Sequence, residues 1–123
     1  MSDIHEEERS WRLYIQDMID FGEKVLSYTD GLDQEAFTAE TLVYDATLRN
    51  LELIGEAATH IPSEVREAHP EIQWRDIIGT RNRLAHGYLG IDDDVIWDII
   101  QTDVPKLLPE LRNLLNTTNE DSV

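Results

Sequence analysis

The chain has 123 residues, 41% of them hydrophobic and 29% charged, and 26 Asp and Glu against 10 Lys and Arg give a formal net charge of −16. That mix fits one folded domain with a real core and excludes a disordered chain. The lack of cysteine excludes disulfides, cysteine-based zinc sites and thiol nucleophiles, and the charge argues against broad binding to DNA or RNA, whose phosphates such a surface repels.

No apolar run approaches the roughly 18 residues of a membrane span, and Met1-Ser2-Asp3-Ile4-His5-Glu6 has no basic or apolar signal character, so a cytoplasmic protein without membrane contact is expected. His5, His60, His69 and His86 include no pair at helical metal-ligand spacing; neither a metal nor another cofactor is expected. The acidic exterior suits a basic protein partner.

From about Asp3 to Thr29, Trp11, Ile15, Met18, Ile19, Val25 and Leu26 recur at the spacing of an amphipathic helix. Glu6, Glu7 and Glu8 suit its N-terminus, and Gly31 can take the left-handed conformation that ends it. After a turn through Asp33 to Phe37, Thr38 is placed to cap a long helix running to about His60. Its apolar arc is broad: Leu42, Val43, Ala46, Leu53, Ile54, Ala57 and Ala58, widened by Tyr44, Leu48 and Leu51. Such a helix needs cover on more than one side, from its own bundle or also from a second subunit.

Asp45, Arg49, Glu52 and Glu56 line the remaining stripe, which reads as a solvated ion-pair ladder worth a few tenths of a kcal/mol per pair. Asn50 falls near the middle of the apolar arc, and Gly55 costs about 1 kcal/mol relative to Ala in a helix interior. The structural explanation is an interhelical hydrogen bond for Asn50 and a close backbone approach at Gly55. The functional one has Asn50 and Arg49 helping to hold an arginine and a histidine further along.

Ile61-Pro62-Ser63 breaks this helix, Ser63 can cap a short one from Glu64 to His69, and Pro70 stops it. The next helix runs from about Trp74 to His86 or Tyr88. Trp74, Ile77, Ile78, Leu84 and Ala85 share one arc with Arg81 and Tyr88, while Asn82 and His86 point elsewhere. A guanidinium on an apolar arc needs partners. On spacing alone a carboxylate on a neighbouring helix accounts for Arg81, and the helix dipole accounts for His86 near the C-terminus. Arg66, Arg75, Arg81 and Arg83 nevertheless leave a slightly basic patch in an acidic molecule.

Gly87 and Gly90 loosen the chain, which puts Tyr88 at or just past a helix end with an exposed hydroxyl. Asp92 caps the last long helix, whose buried stripe is Ile96, Ile100, Val104, Leu107, Leu111 and Leu114. Pro105 and Pro109 predict a bend, or two helices meeting near Asp103. The whole reads as an all-α bundle of four or five helices forming one domain over residues 1–116, with a polar, frayed tail over 117–123. There is no repeat, no strand-like alternation and no Gly-rich phosphate loop.

The run Arg81-x4-His86-x-Tyr88, with Asn82 directly after the arginine, resembles the signature of HepT-like ribonuclease toxins, a branch of the HEPN superfamily. Leu53-Ile54-Gly55-Glu56-Ala57, Trp74-Arg75-Asp76-Ile77 and Val95-Ile96-Trp97 extend the likeness from about Trp11 to Leu115; Thr80 departs from it where an apolar residue is expected. The resemblance implies a HEPN-like homodimer with metal-independent ribonuclease activity on tRNA or another RNA. It also implies a minimal nucleotidyltransferase antitoxin as partner, which transfers AMP from ATP onto Tyr88.

Metal-free cleavage needs a group that moves a proton and one that stabilises charge on the phosphate. His86 suits the first role, typically worth 10²- to 10⁴-fold, and the bidentate fork of Arg81 the second. Asn82 can orient the His86 ring or contact RNA, and Arg83, pointing in another direction, can contact a phosphate. Residues i and i+5 lie about 140° apart on a straight helix, so Arg81 and His86 of one chain diverge. A dimer resolves this if two such helices face each other across a composite cleft. A second reading is a non-catalytic helical module that presents substrate to a separate nucleotidyltransferase; a plain dimeric scaffold leaves Arg81, Arg83, His86 and Tyr88 unexplained.

Overall fold

A computed structural model describes residues 9–86 and 91–122, with side chains described as far as Thr117. Its elements are α1 (Trp11–Thr29), α2 (Gln34–Ala39), α3 (Thr41–Ala58), α4 (Ser63–Ala68), α5 (Trp74–His86), α6 (Asp93–Asp98), a π-helical segment (Ile99–Asp103) and α7 (Val104–Ser122). Among the described residues there is no strand, and no helix is long and apolar enough to cross a membrane. The fold is all-α, as expected: α1, α3, α5 and the continuous α6–π–α7 rod are its main members, with α2 and α4 as short connectors.

α1 packs on both α3 and α7, and α3 in turn carries α5. Ile15, Met18, Ile19 and Val25 of α1 meet Leu51, Ile54, Ala57 and Ala58 of α3 and Ile100, Val104, Leu108, Leu111 and Leu114 of the rod in one buried core. Fully burying each large aliphatic among these stabilises by roughly 1.5–3 kcal/mol. α7 comes close to α1 at Gly22, where an added Cβ would stand 2.8 Å from Leu108 Cδ2.

Several local signals act as expected. Gly31 takes φ 77° after α1, and Asp92 caps α6 by accepting from Asp94 N at 2.9 Å. The rod, expected to bend or divide near Asp103, instead stays continuous and passes through a wide π turn over Ile99–Asp103 just before Pro105. Pro105 has no N–H and its ring crowds the carbonyl one turn back, and a π turn relieves both.

The stretch before α3 differs from expectation. Thr38 does not cap the long helix: it donates to Glu35 O within α2, which Asp33 starts by accepting from Ala36 N at 2.8 Å, and α3 opens at Glu40 without a side-chain cap. The chain turns at Glu40 (φ −93°, ψ 94°) before α3 begins. That corner delivers Phe37 into the core, against the rings of Tyr44 and Trp97 at 5.2 and 5.3 Å between centroids. Leu42, assigned to the apolar arc, is 86% exposed, because the first turn of α3 projects beyond its cover. Ser63 opens α4 without a side-chain cap, with Pro62 in the capping position. The last helix runs to Ser122, past the boundary expected at residue 116.

Candidate active site

α5 is anchored at its start and exposed at its end. Trp74 is buried and its indole N–H donates to His69 O at 3.1 Å, whereas Ile77, Ile78 and Leu84 are only half-buried and Ala85 is exposed. The contact with α3 centres on Gly55. A Cβ there would overlap the Cβ of Arg81 and stand 2.9 Å from the carbonyl oxygen of Ile77. The glycine therefore marks the close backbone approach its sequence position suggested.

That approach puts Arg81 beside the residue that follows Gly55. Arg81 Nη2 donates to Glu56 Oε1 at 2.5 Å, and Nη1 donates to Asn82 Oδ1 at 2.9 Å. Nε is buried without a hydrogen-bond partner, yet the side chain as a whole is 32% exposed. A carboxylate on a neighbouring helix thus holds the arginine, and Glu56 leaves the solvated ladder in which it was grouped. Asn82 turns its carbonyl oxygen to Arg81.

His86 is the last residue of α5 and is exposed, where the helix dipole favours a cation. It shares a helix with Arg81 but, five residues on, projects about 140° away. Arg83 is exposed and lines a groove of about 520 Å³ between α5 and the α6–π–α7 rod, with Arg75, Asp76, Asp98 and Lys106. Arg49 has a 63% exposed side chain and pairs with Glu52 at 3.4 Å. Asn50 is buried, but its amide donates to Ala46 O at 2.8 Å, one turn back in its own helix and not across to another. Tyr88 lies outside the described residues.

Two residues enter that the motif did not single out. Glu56 is one; the other is His60, whose Nε2 stands 4.0 Å from Glu56 Oε2 and whose ring stacks on Tyr14 at 4.4 Å and 10°. The i, i+4 spacing of Glu56 and His60, just after a helical glycine, was the available signal. Among the described residues no three His, Asp or Glu side chains cluster so as to hold a metal ion. The site offers an arginine with acceptors on both Nη atoms and an exposed histidine, groups suited to binding an anion and moving a proton.

A family model described as "Ribonuclease HepT-like" matches residues 18–114. A protein of Methanocaldococcus jannaschii named "Putative RNase MJ1380" is 34% identical over 103 residues, covering 84% of this chain and 94% of the relative. "Probable ribonuclease HepT" of Thermococcus cleftensis is 34% identical over 106 residues, covering 86% and 96%. No solved structure matches the chain.

Proposed function

The chain belongs to the HepT-like ribonuclease family, and on that premise we propose that it is a metal-independent ribonuclease toxin of the cytoplasm, acting on tRNA or another RNA. The observation that carries this reading is the pairing, on the one helix α5, of a partly exposed arginine held by acceptors with an exposed histidine at the helix end. In the reaction His86 moves the proton, and Arg81 takes the charge that builds on the phosphate oxygens. Arg83, beside the groove, contacts a neighbouring phosphate; Arg49 and Asn50 lie on the helix that carries Glu56 and support the site from there.

The divergence of Arg81 and His86 favours a homodimer in which each chain supplies part of the cleft. The half-covered arc of α5, with Ile77 and Ile78 only partly buried and Ala85 exposed, supports a second copy on this side. The partner that silences the enzyme is a minimal nucleotidyltransferase antitoxin adding AMP to Tyr88. The 117–123 tail is outside the catalytic domain. Cleavage of RNA in excess chelator by the wild-type protein, lost in His86→Ala, tests the reading; activity that disappears in chelator overturns it.

The Arg81–Glu56 pair also favours a second reading, in which the arginine is structural and the chain is a non-catalytic module presenting substrate to the nucleotidyltransferase. Absence of RNA cleavage both with and without chelator decides for it.

A further inference from the structure

We propose that Glu56 is a positioning residue for the reaction: its carboxylate aims the Arg81 guanidinium at the RNA phosphate. The inference rests on the ribonuclease reading above and names a residue outside the arginine–histidine motif.

Of a guanidinium's five N–H donors, the site controls three. One on Nη2 goes to Glu56 Oε1, one on Nη1 goes to Asn82 Oδ1, and Nε is enclosed without a partner. The Nε edge, one of the two faces by which arginine grips a phosphate, is therefore closed. What remains for an incoming oxygen is a single hydrogen on each Nη. The Cβ of Arg81 lies against Gly55, which fixes where the stem starts, and the two acceptors set the direction of the fork from there. Glu56 is the part of this device that comes from another helix, and it alone ties the orientation of the fork to the α3–α5 packing.

A histidine lies near the other side of the carboxylate, beyond hydrogen-bond distance. The second carboxylate oxygen, Oε2, faces His60 Nε2 at 4.0 Å, and the His60 ring is stacked on Tyr14 of α1. Arg9 covers Tyr14 at 4.8 Å from the ring centroid and pairs with Asp17 at 2.6 Å. The line from α1 through His60 and Glu56 to Arg81 links three helices. For a surface pair such organisation is unnecessary, since exposed ion pairs contribute about 0–1 kcal/mol. A fork that must be ready before substrate arrives has use for it, because electrostatic stabilisation depends on groups already oriented.

The competing roles give different results. A purely structural pair predicts lost stability and unchanged turnover in the protein that stays folded. An occluding carboxylate, standing where phosphate should bind, predicts faster cleavage when it is removed. Positioning predicts a kcat effect: a misplacement on the order of 1 Å can cost about 100-fold.

The experiment measures RNA cleavage in excess chelator and side-chain ¹⁵N NMR of Arg81 for the wild type, Glu56→Ala and Glu56→Gln. Glu56→Ala is expected to lower kcat about 100-fold with KM within about threefold, and Glu56→Gln, which keeps an acceptor in place, to recover part of the loss. In an Arg81→Ala background, Glu56→Ala should have no further effect on kcat. Restricted rotation of the Arg81 guanidinium in the wild type, released in Glu56→Ala, is the expected NMR result. Unchanged or raised kcat in a folded Glu56→Ala protein overturns the proposal while leaving the ribonuclease reading intact. A wild type that cleaves no RNA removes that reading instead, and equal guanidinium mobility in all three proteins overturns the positioning claim without recourse to activity.

Discussion

Gly55 of α3 lies against the Cβ of Arg81 on α5 with no space for a methyl group between them. In an unobstructed helix interior Gly→Ala stabilises by about 0.8–1 kcal/mol. Here the new carbon would meet Arg81 Cβ and the Ile77 carbonyl, neither of which can rotate away. Gly55→Ala is therefore expected to destabilise by about 1–3 kcal/mol, the usual range for overpacking, and to lose ribonuclease activity as the helices part. Thermal melts alongside cleavage assays check it, and a raised Tm would show that the approach is not tight.

The proposed cross-chain cleft makes a separate prediction. His86→Ala is expected to be folded and inactive and Arg81→Ala folded and severely weakened, since His86 is exposed and the Arg81 pair is partly so. Mixed and refolded together, they form heterodimers in which one cleft regains an intact arginine and histidine, so about a quarter of wild-type activity should return, by the statistics of a symmetric pair. No recovery in confirmed heterodimers, or a monomeric mass at micromolar concentration, counts against the shared site.

Tyr88 follows His86 by two residues in the sequence, and AMP on its hydroxyl would bring phosphate charge close to the motif arginines. Co-expression with a nucleotidyltransferase partner should yield a Tyr88 peptide heavier by one or more AMP units and an inactive ribonuclease. Tyr88→Phe should escape modification. A modified peptide elsewhere in the chain, seen by mass spectrometry, would refute that assignment.

Tyr44 donates to Asp93 Oδ1 at 2.5 Å, joining α3 to α6. Burial first, and then the Asp93 carboxylate, push the Tyr44 hydroxyl from 10.0 up to about 12. Its folded value is raised, so the stabilisation is complete below pH 10 and is lost as pH rises through about 12. Tyr44→Phe should cost about 1–2 kcal/mol at neutral pH, measured by denaturant unfolding. The gap between variant and wild type should narrow above pH 10, and a gap constant with pH would show that the bond to Asp93 is not its source.

Much of this protein is local, and the sequence alone determined it. Hydrophobic spacing decides where helices run, Gly31 and Asp92 mark an end and a beginning, and Pro105 announces an irregular turn near Asp103, because each acts within a turn of itself. The same spacing put Arg81 on an apolar arc and so required a partner for it. Which partner was a tertiary matter. Glu56 lies on a polar stripe of its own helix, and only the approach of α3 to α5 at Gly55 brings the guanidinium to it. Asn50 had the right direction for an interhelical bond but found Ala46 O first, and Leu42 had the right period but no neighbour. Periodicity gives a side chain's direction about one axis; the distance, tilt and rotation of the next helix decide what it meets.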